Sequence, residues 1–141
     1  MKAIAMAEKN HHTILVVEDY APGMMVTTMM LEHLGYDVDS ATCGREAVAK
    51  VCASNVPFLA ILMDVNLDDM DGFAVTQSIR AWEQEQNYRQ TIIALTAHAL
   101  AGDRERCLSA GMDDYISKPI AIDLLAKKLT MLAEASRRAS A

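Results

Sequence analysis

Three short, largely apolar runs constrain the fold of this 141-residue chain more than any other feature. They are TILVV at 13–17, FLAILM at 58–63 and TIIALTA at 91–97. Their length and their β-branched residues are typical of strands that are buried on both faces. Segments with helical spacing separate the three runs, so the pattern predicts a parallel sheet with helices on both of its faces.

The weaker segments complete an alternating order of strands and helices. DVDSA at 37–41 is predicted to form an edge strand, and DYIS at 114–117 a short last strand. Helices are expected over 22–34, 45–54, 72–85, 102–110 and 122–135. Five strand-then-helix units predict a doubly wound α/β domain with right-handed crossovers. The expected organisation is a flexible N-terminal extension at 1–11, one domain at 12–135 and a flexible tail at 136–141.

Two helices have apolar faces that predict what they bury. In the first, Val26, Met30 and Leu34 are expected in the core, which leaves Met24 and Met25 elsewhere, beside the strand ends. In the last, the apolar stripe is expected at 124, 125, 129 and 132.

Composition limits the class of protein. The length suits one sizeable core, no apolar run is long enough to cross a bilayer, and the N-terminus makes a poor secretion signal. Three widely spaced cysteines argue against a disulfide framework and fit a reducing cytoplasm. The net charge is −6 and the basic residues are scattered, which argues against direct binding of nucleic acid.

Polar residues at the ends of the predicted strands form the candidate site. In open parallel sheets, ligands bind beyond the carboxyl ends of the strands. The residues expected there are Glu18, Asp19, Asp64, Thr96 and Lys118. Neighbouring carboxylates need a cation, and Mg²⁺ prefers such oxygen ligands. Together with an ammonium and a hydroxyl, this set suits a phosphoryl group in transfer.

The acidic stretch LMDVNLDDMDG at 62–72 contains further aspartates. Asp64 ends a buried strand beside Asp19 and Glu18 and is therefore the candidate reactive residue. Asp68, Asp69 and Asp71 are interpreted as residues of the turn that follows, where Asp71 could cap the next helix.

Four motifs in order, ILVVEDY, ILMDV…MDG, IIALTAHAL and AGMDDYISKP, resemble the receiver domains of two-component response regulators over about residues 12–135. They are most similar to receivers of hybrid kinases and phosphorelays. The resemblance implies a flavodoxin-like (βα)5 fold with strand order 2-1-3-4-5. It also implies a signalling domain that accepts a phosphoryl group from a histidine kinase or phosphotransfer protein, not an enzyme with other substrates.

The resemblance implies a role for each matching residue. Asp64 would be the phosphoacceptor, and Mg²⁺ would be held by Asp19 directly, by Glu18 largely through water, by Asp64 and by the backbone carbonyl of Asn66. Thr96 and Lys118 would contact the phosphoryl group, and Thr96 and Tyr115 would form a switch. Asn66 and His98 would control the phosphoryl lifetime, and the donor would dock at Met24 and Met25. The bond between Lys118 and Pro119 would be cis.

Two departures from the family pattern affect expectations. Position 68 is usually proline, whereas this chain has Asp68 after Leu67, which predicts a more mobile loop with an extra charge. YAPG at 20–23 replaces an Asn-rich start and makes the donor-docking surface more apolar.

The expected function is a single-domain cytoplasmic response regulator that signals through protein contacts, on the face of the fourth helix, fifth strand and fifth helix, or by passing the phosphoryl group onward. The tail ASRRASA is too short to be an output domain. Three alternatives stay open. The first is a phosphatase similar to the haloacid dehalogenases, which would need a second aspartate where Asn66 stands. The second is a flavodoxin-like cofactor binder, which would need a phosphate loop after strand one. The third is a pure interaction module, which would never take up a phosphoryl group.

Overall fold

A computed structural model describes residues 13–54, 56–86, 88–97 and 102–140. Its ten elements alternate strictly between strand and helix, as the sequence predicts. They are β1 (Thr13–Val17), α1 (Ala21–His33), β2 (Asp37–Ala41), α2 (Gly44–Ala53), β3 (Ala60–Asp64), α3 (Gly72–Glu83), β4 (Ile92–Thr96), α4 (Asp103–Ser109), β5 (Asp114–Ser117) and α5 (Ile122–Ser140).

The five strands form one parallel sheet in the order β2-β1-β3-β4-β5. The doubly wound fold and its strand order are therefore confirmed. The three apolar runs supply the central strands β1, β3 and β4, which explains why they carry almost no polar side chains.

Each face of the sheet has its own core. In β1, Leu15 and Val17 pack with α2, α3 and α4, whereas Ile14 and Val16 pack with α1 and α5 on the other face. The alternation follows from the two-residue period of a strand. Because both faces of the central strands are buried in these clusters, a shift of one residue would expose core side chains, and the register of the sheet is fixed.

Most boundaries agree with the sequence expectation within one or two residues, and three of the differences are informative. β3 begins at Ala60 instead of residue 58, because the side chain of Gln90 takes the place of a strand partner at Phe58. The Gln90 amide accepts from the Phe58 N–H at 2.9 Å and donates to its carbonyl at 2.7 Å. The predicted helix end at residue 135 is wrong, since α5 continues to Ser140 through a segment without proline or glycine. β4 begins one residue later than expected.

The predicted buried face of α1 is partly wrong. Thr27 and Leu31 are its buried residues, and Met24 packs beside them against the core, whereas Val26 is 51% exposed. Apolar side chains occur all around this helix, so their spacing does not define one face. In α5, Leu125 and Leu129 are buried as expected, but Leu124 is exposed.

Among the described residues, no helix combines the length and apolar composition that a membrane crossing requires.

Candidate functional site

Three carboxylates meet at the carboxyl ends of β1 and β3, where the sequence places them. Glu18, Asp19 and Asp64 each offer an oxygen, and these oxygens lie within 4.8 Å of one another. Glu18 is 2% exposed and Asp64 is 5% exposed, while Asp19 is half-buried. The register explains the cluster, because Val17 pairs with Met63 and each strand then runs directly into a carboxylate.

Lys118 joins two of these carboxylates. Its Nζ lies 2.8 Å from Glu18 Oε2 and 3.2 Å from Asp64 Oδ2. The backbone N–H of Lys118 donates to the Thr96 carbonyl at 2.8 Å, and this bond fixes the lysine at the end of the sheet. The peptide bond from Lys118 to Pro119 is cis, as the resemblance implied.

Burial and charge act in opposite directions on these groups. Burial raises the pKa of the Glu18 carboxyl, and the neighbouring Asp64 raises it further, while Lys118 offsets only part of the rise. Burial lowers the pKa of the Lys118 ammonium, but its hydrogen bond to Glu18 and the charges of both carboxylates outweigh burial, so this pKa lies above its ordinary value. The site therefore carries excess negative charge with one ammonium inside it.

The donor set fits a hard divalent cation. It consists of carboxylate oxygens from three residues on two adjacent strand ends, without nitrogen or sulfur ligands among them. The remaining negative charge beyond Lys118 is what a Mg²⁺ ion would balance. Glu18, Asp19 and Asp64 are thus the residues that would hold it.

The loop after β3 also contacts the carboxylates. The Asn66 N–H donates to Asp64 Oδ1 at 3.0 Å, and the Asp68 N–H donates to Asp19 Oδ2 at 2.9 Å. Gly72, which follows the loop, lies so close that a Cβ there would be 2.5 Å from the Asp64 carbonyl oxygen. The backbone around Asp64 is therefore tightly enclosed.

The other aspartates of the loop cap helices. Asp71 accepts from the Ala74 N–H at 2.7 Å and caps α3, as the sequence suggested. Asp69 accepts from the N–H groups of Gly44 and Arg45 at 2.8 and 3.1 Å, so it caps α2 from 24 to 25 residues away. Sequence reasoning missed this second role, because a cap supplied by a distant segment leaves no local pattern.

The predicted switch residues are placed on neighbouring strands. Thr96 ends β4 and is buried, and Tyr115 on β5 is half-buried against the core under α2, α3 and α4. Ala94, two residues before Thr96, pairs with Tyr115 in the sheet. His98, predicted to tune the phosphoryl lifetime, lies outside the described residues.

Met24 and Met25, the predicted docking pair, differ in their exposure to solvent. Met25 is 62% exposed, but Met24 is partly buried and packs against the core under α1 and α5. An apolar groove of about 320 Å³ runs from Glu18 and Lys118 along the start of α1. Its apolar lining includes Tyr20, Pro22, Val26, Met30, Pro119 and Ile120.

Comparison with known families gives one match over most of the chain. The model of the response regulator receiver domain matches residues 14–130. Sensor protein GacS of Pseudomonas syringae pv. syringae is 40% identical over 115 residues, which are 81% of this chain and 12% of GacS. Sensor histidine kinase RcsC of Escherichia coli K12 is 34% identical over 134 residues, 95% of this chain and 14% of RcsC. The chain thus spans a small fraction of these curated relatives.

Solved structures agree with the sequence relatives. The receiver domain of sensor histidine kinase PA1611 from Pseudomonas aeruginosa PAO1 is 43% identical with a TM-score of 0.77, over 87% of this chain and 98% of that one. That crystal structure has a magnesium ion coordinated in its active site cleft. A chain in the co-crystal structure of the Saccharomyces cerevisiae phosphotransfer protein Ypd1 with the Ssk1 receiver domain is 26% identical, with a TM-score of 0.78, over 86% of this chain and 88% of that one.

Proposed function

Since the chain belongs to the family of response regulator receiver domains, we propose that it accepts a phosphoryl group on Asp64 from a phosphohistidine. The donor would be a histidine kinase or a histidine phosphotransfer protein. The observation that carries the proposal is the position of Asp64, which ends a buried strand 3.2 Å from Lys118 and within 4.8 Å of two further carboxylates. A solvated loop aspartate would have neither the burial nor these neighbours.

The transfer needs one bond exchange. A carboxylate oxygen of Asp64 forms a bond to phosphorus while the bond between phosphorus and the donor imidazole nitrogen breaks. The imidazole keeps that electron pair and takes up a proton. The Asn66 N–H fixes the Asp64 carboxylate, and Lys118 provides a positive charge beside the incoming phosphoryl oxygens.

Mg²⁺, when bound by Glu18, Asp19, Asp64 and the Asn66 carbonyl, would supply a divalent charge that neutralises the carboxylates and the phosphoryl oxygens. Thr96, buried at the end of β4, would hydrogen-bond the phosphoryl group. Asn66 and His98, which follow Asp64 and Thr96 by two positions in the sequence, would set its lifetime. The chain would catalyse only its own phosphorylation and dephosphorylation.

Intact-mass measurement after incubation with acetyl phosphate and Mg²⁺ tests the phosphoacceptor. We expect one phosphoryl adduct on the wild type and none on Asp64→Asn, which keeps the shape but removes the nucleophile. Asp71→Asn is the matched control, because asparagine also caps helices and the adduct should persist. An adduct that is unchanged in Asp64→Asn would overturn the proposal.

The donor would dock on the exposed apolar side of α1, next to the groove that leads to Lys118. Tyr20, Met25, Val26 and Met29 are all more than half exposed there. The predicted role of Met24 is revised to support of this face from below, because it packs against the core. A partner with an apolar surface beside its histidine would cover both the groove and the face.

The rates of phosphorylation by a protein donor and by acetyl phosphate distinguish a role in docking from a role in the transfer reaction. Met25→Ser should slow phosphotransfer from a cognate phosphohistidine donor but leave labelling by acetyl phosphate unchanged. Met131→Ser on α5 is the control, since Met131 is also 62% exposed but lies on another helix. Equal slowing with both phosphoryl sources would contradict a docking role for Met25.

Signalling would use the half-buried Tyr115. We propose that inward movement of Thr96 toward the phosphoryl group frees space for Tyr115, which shifts a two-state equilibrium at the face formed by α4, β5 and α5. The output would be a protein contact at that face or onward transfer in a phosphorelay, in a cytoplasmic setting.

A further inference from the structure

The loop after β3 reaches two of the three site carboxylates with two of its own amides. The N–H groups of Asn66 and Asp68 point to Asp64 Oδ1 and Asp19 Oδ2, at 3.0 and 2.9 Å. Glu18 has different partners, the Lys118 ammonium at 2.8 Å and the Tyr20 N–H at 3.3 Å. Asp19 is therefore the carboxylate that accepts from the amide of residue 68, a hydrogen bond that the proline usual at this position of the family could not donate.

The loop itself is anchored at several points. The Asp69 carboxylate bonds the first amides of α2, the Asp71 carboxylate bonds the Ala74 N–H, and the Gly72 N–H donates to the Val65 carbonyl at 2.9 Å. These contacts hold Asp68 between fixed neighbours, with its side chain exposed and its amide facing Asp19. The Asp68 N–H is thus held in place as a donor to Asp19.

We propose that the Asp68 amide is a positioning group for Asp19, which holds this carboxylate in the orientation that a divalent cation requires. The inference rests on the proposed function, since it concerns the same cation site. Partners that hydrogen-bond a metal ligand restrict its rotation before the metal arrives, so the metal binds without the cost of ordering that ligand. The backbone N–H carries the effect, and the exposed Asp68 carboxylate does not.

A pair of substitutions separates the amide from the side chain. Asp68→Ala removes the carboxylate but keeps the N–H, whereas Asp68→Pro removes both. Mg²⁺ titration followed by calorimetry should give similar affinity for the wild type and Asp68→Ala, and about tenfold weaker binding for Asp68→Pro. Equal affinity of the alanine and proline variants would overturn the proposal.

Measurement of amide protons by NMR tests the same hydrogen bond even if the proline variant does not fold. In Asp68→Ala, the amide proton of residue 68 should resonate downfield and exchange slowly with water. Adding Asp19→Ala should move this proton upfield and speed its exchange, while the Asn66 amide, which bonds Asp64, serves as the internal reference. No change at residue 68 would show that the amide does not hold Asp19.

The two proposals fail in different ways. If the wild type neither binds Mg²⁺ nor takes up a phosphoryl group, the proposed function is wrong. If the wild type does both and the variants of residue 68 do not differ, the positioning role alone is wrong.

Discussion

At the scale of single residues, Lys118 is the cation that contacts two of the three site carboxylates. Its ammonium lies between Glu18 and Asp64, two buried carboxylates on adjacent strands. Without that ammonium, both buried carboxylates would lose their cation and keep backbone donors, the Tyr20 N–H at Glu18 and the Asn66 N–H at Asp64. Its removal should therefore affect stability as well as chemistry.

Lys118→Met should destabilise the metal-free protein by about 2 kcal/mol at neutral pH, less than for a fully buried ion pair because the Lys118 side chain is 31% exposed. The cost depends on pH through Glu18, whose pKa is already above the ordinary 4.5. Because the folded state binds that proton more tightly than the unfolded state, Glu18 lowers stability as pH rises through and beyond about 4.5. Loss of Lys118 raises the pKa of Glu18 further, so the difference from wild type should grow from pH 5 to pH 8.

Urea unfolding in the presence of a chelator at both pH values measures this difference. Lys127→Met is a suitable control, because Lys127 is exposed on α5 and has no ion pair among the contacts of the described residues. A Lys118→Met penalty that is the same at pH 5 and pH 8 would contradict the assignment to Glu18.

At the scale of elements, the loop after β3 connects the site to the helices on one face of the sheet. α2 begins at Gly44 without a capping side chain of its own, and the Asp69 carboxylate takes that place. Hydrogen bonds from the backbone N–H groups of Gly44 and Arg45 lower the pKa of Asp69. A carboxylate with a lowered pKa stabilises the folded state above its unfolded pKa and loses this effect as pH falls through the folded pKa.

Asp69→Asn should therefore lower the melting temperature at pH 7, where the charged carboxylate interacts with the amides and the helix dipole. The difference from wild type should shrink as the pH falls below the ordinary carboxyl value of 3.8 and through the lower pKa of the folded state, where the wild-type carboxyl also becomes neutral. Thermal unfolding followed by circular dichroism measures this difference between pH 2.5 and pH 7, a range that covers the titration of an ordinary carboxyl group. A constant difference across that range would mean that charge is not the cause.

The sequence predicts those parts of the fold that depend on local pattern. The central strands are continuous apolar runs, and helix ends carry Pro22, Gly35 and Gly111, so their existence follows from residue type alone. The side chain of Gln90 at Phe58 and the cap of α2 by Asp69 depend on segments that are distant in sequence. The exposure of Val26 was missed for a third reason, since α1 is apolar on all sides and only tertiary packing selects its buried face.

At the scale of the whole molecule, the two ends of the sheet carry different sets of charged side chains. The site lies at the carboxyl ends of the strands, whereas an ion-pair network lies at the opposite end. Arg80 on α3 bonds Glu83, the carbonyls of Gln90 and Gly111, and Asp113. Asp113 in turn accepts from the Ile92 N–H at 2.8 Å, so one guanidinium joins α3 to the beginnings of β4 and β5.

Arg80→Ala should destabilise the protein by about 3 kcal/mol, because it leaves the buried Glu83 carboxylate without its cation. The protein that remains folded should take up a phosphoryl group on Asp64 as fast as wild type, since the network is at the other end of the sheet. Denaturant unfolding and acetyl phosphate labelling measure the two effects separately. Arg104→Ala, at an exposed position on α4, is the control, and a labelling rate that falls with stability would contradict this separation.

The all-round apolar character of α1 has a consequence for partner choice. Methionine is unbranched and polarisable, so a face built around Met25 and Met29 adapts to surfaces of different shape. A surface of this kind gives little selectivity through fit, and discrimination must then come from unfavourable contacts with the wrong partner. In a cell with several phosphohistidine donors, insulation of this receiver from the others would therefore depend on charged residues at the rim of α1, such as Glu32, more than on the methionines themselves.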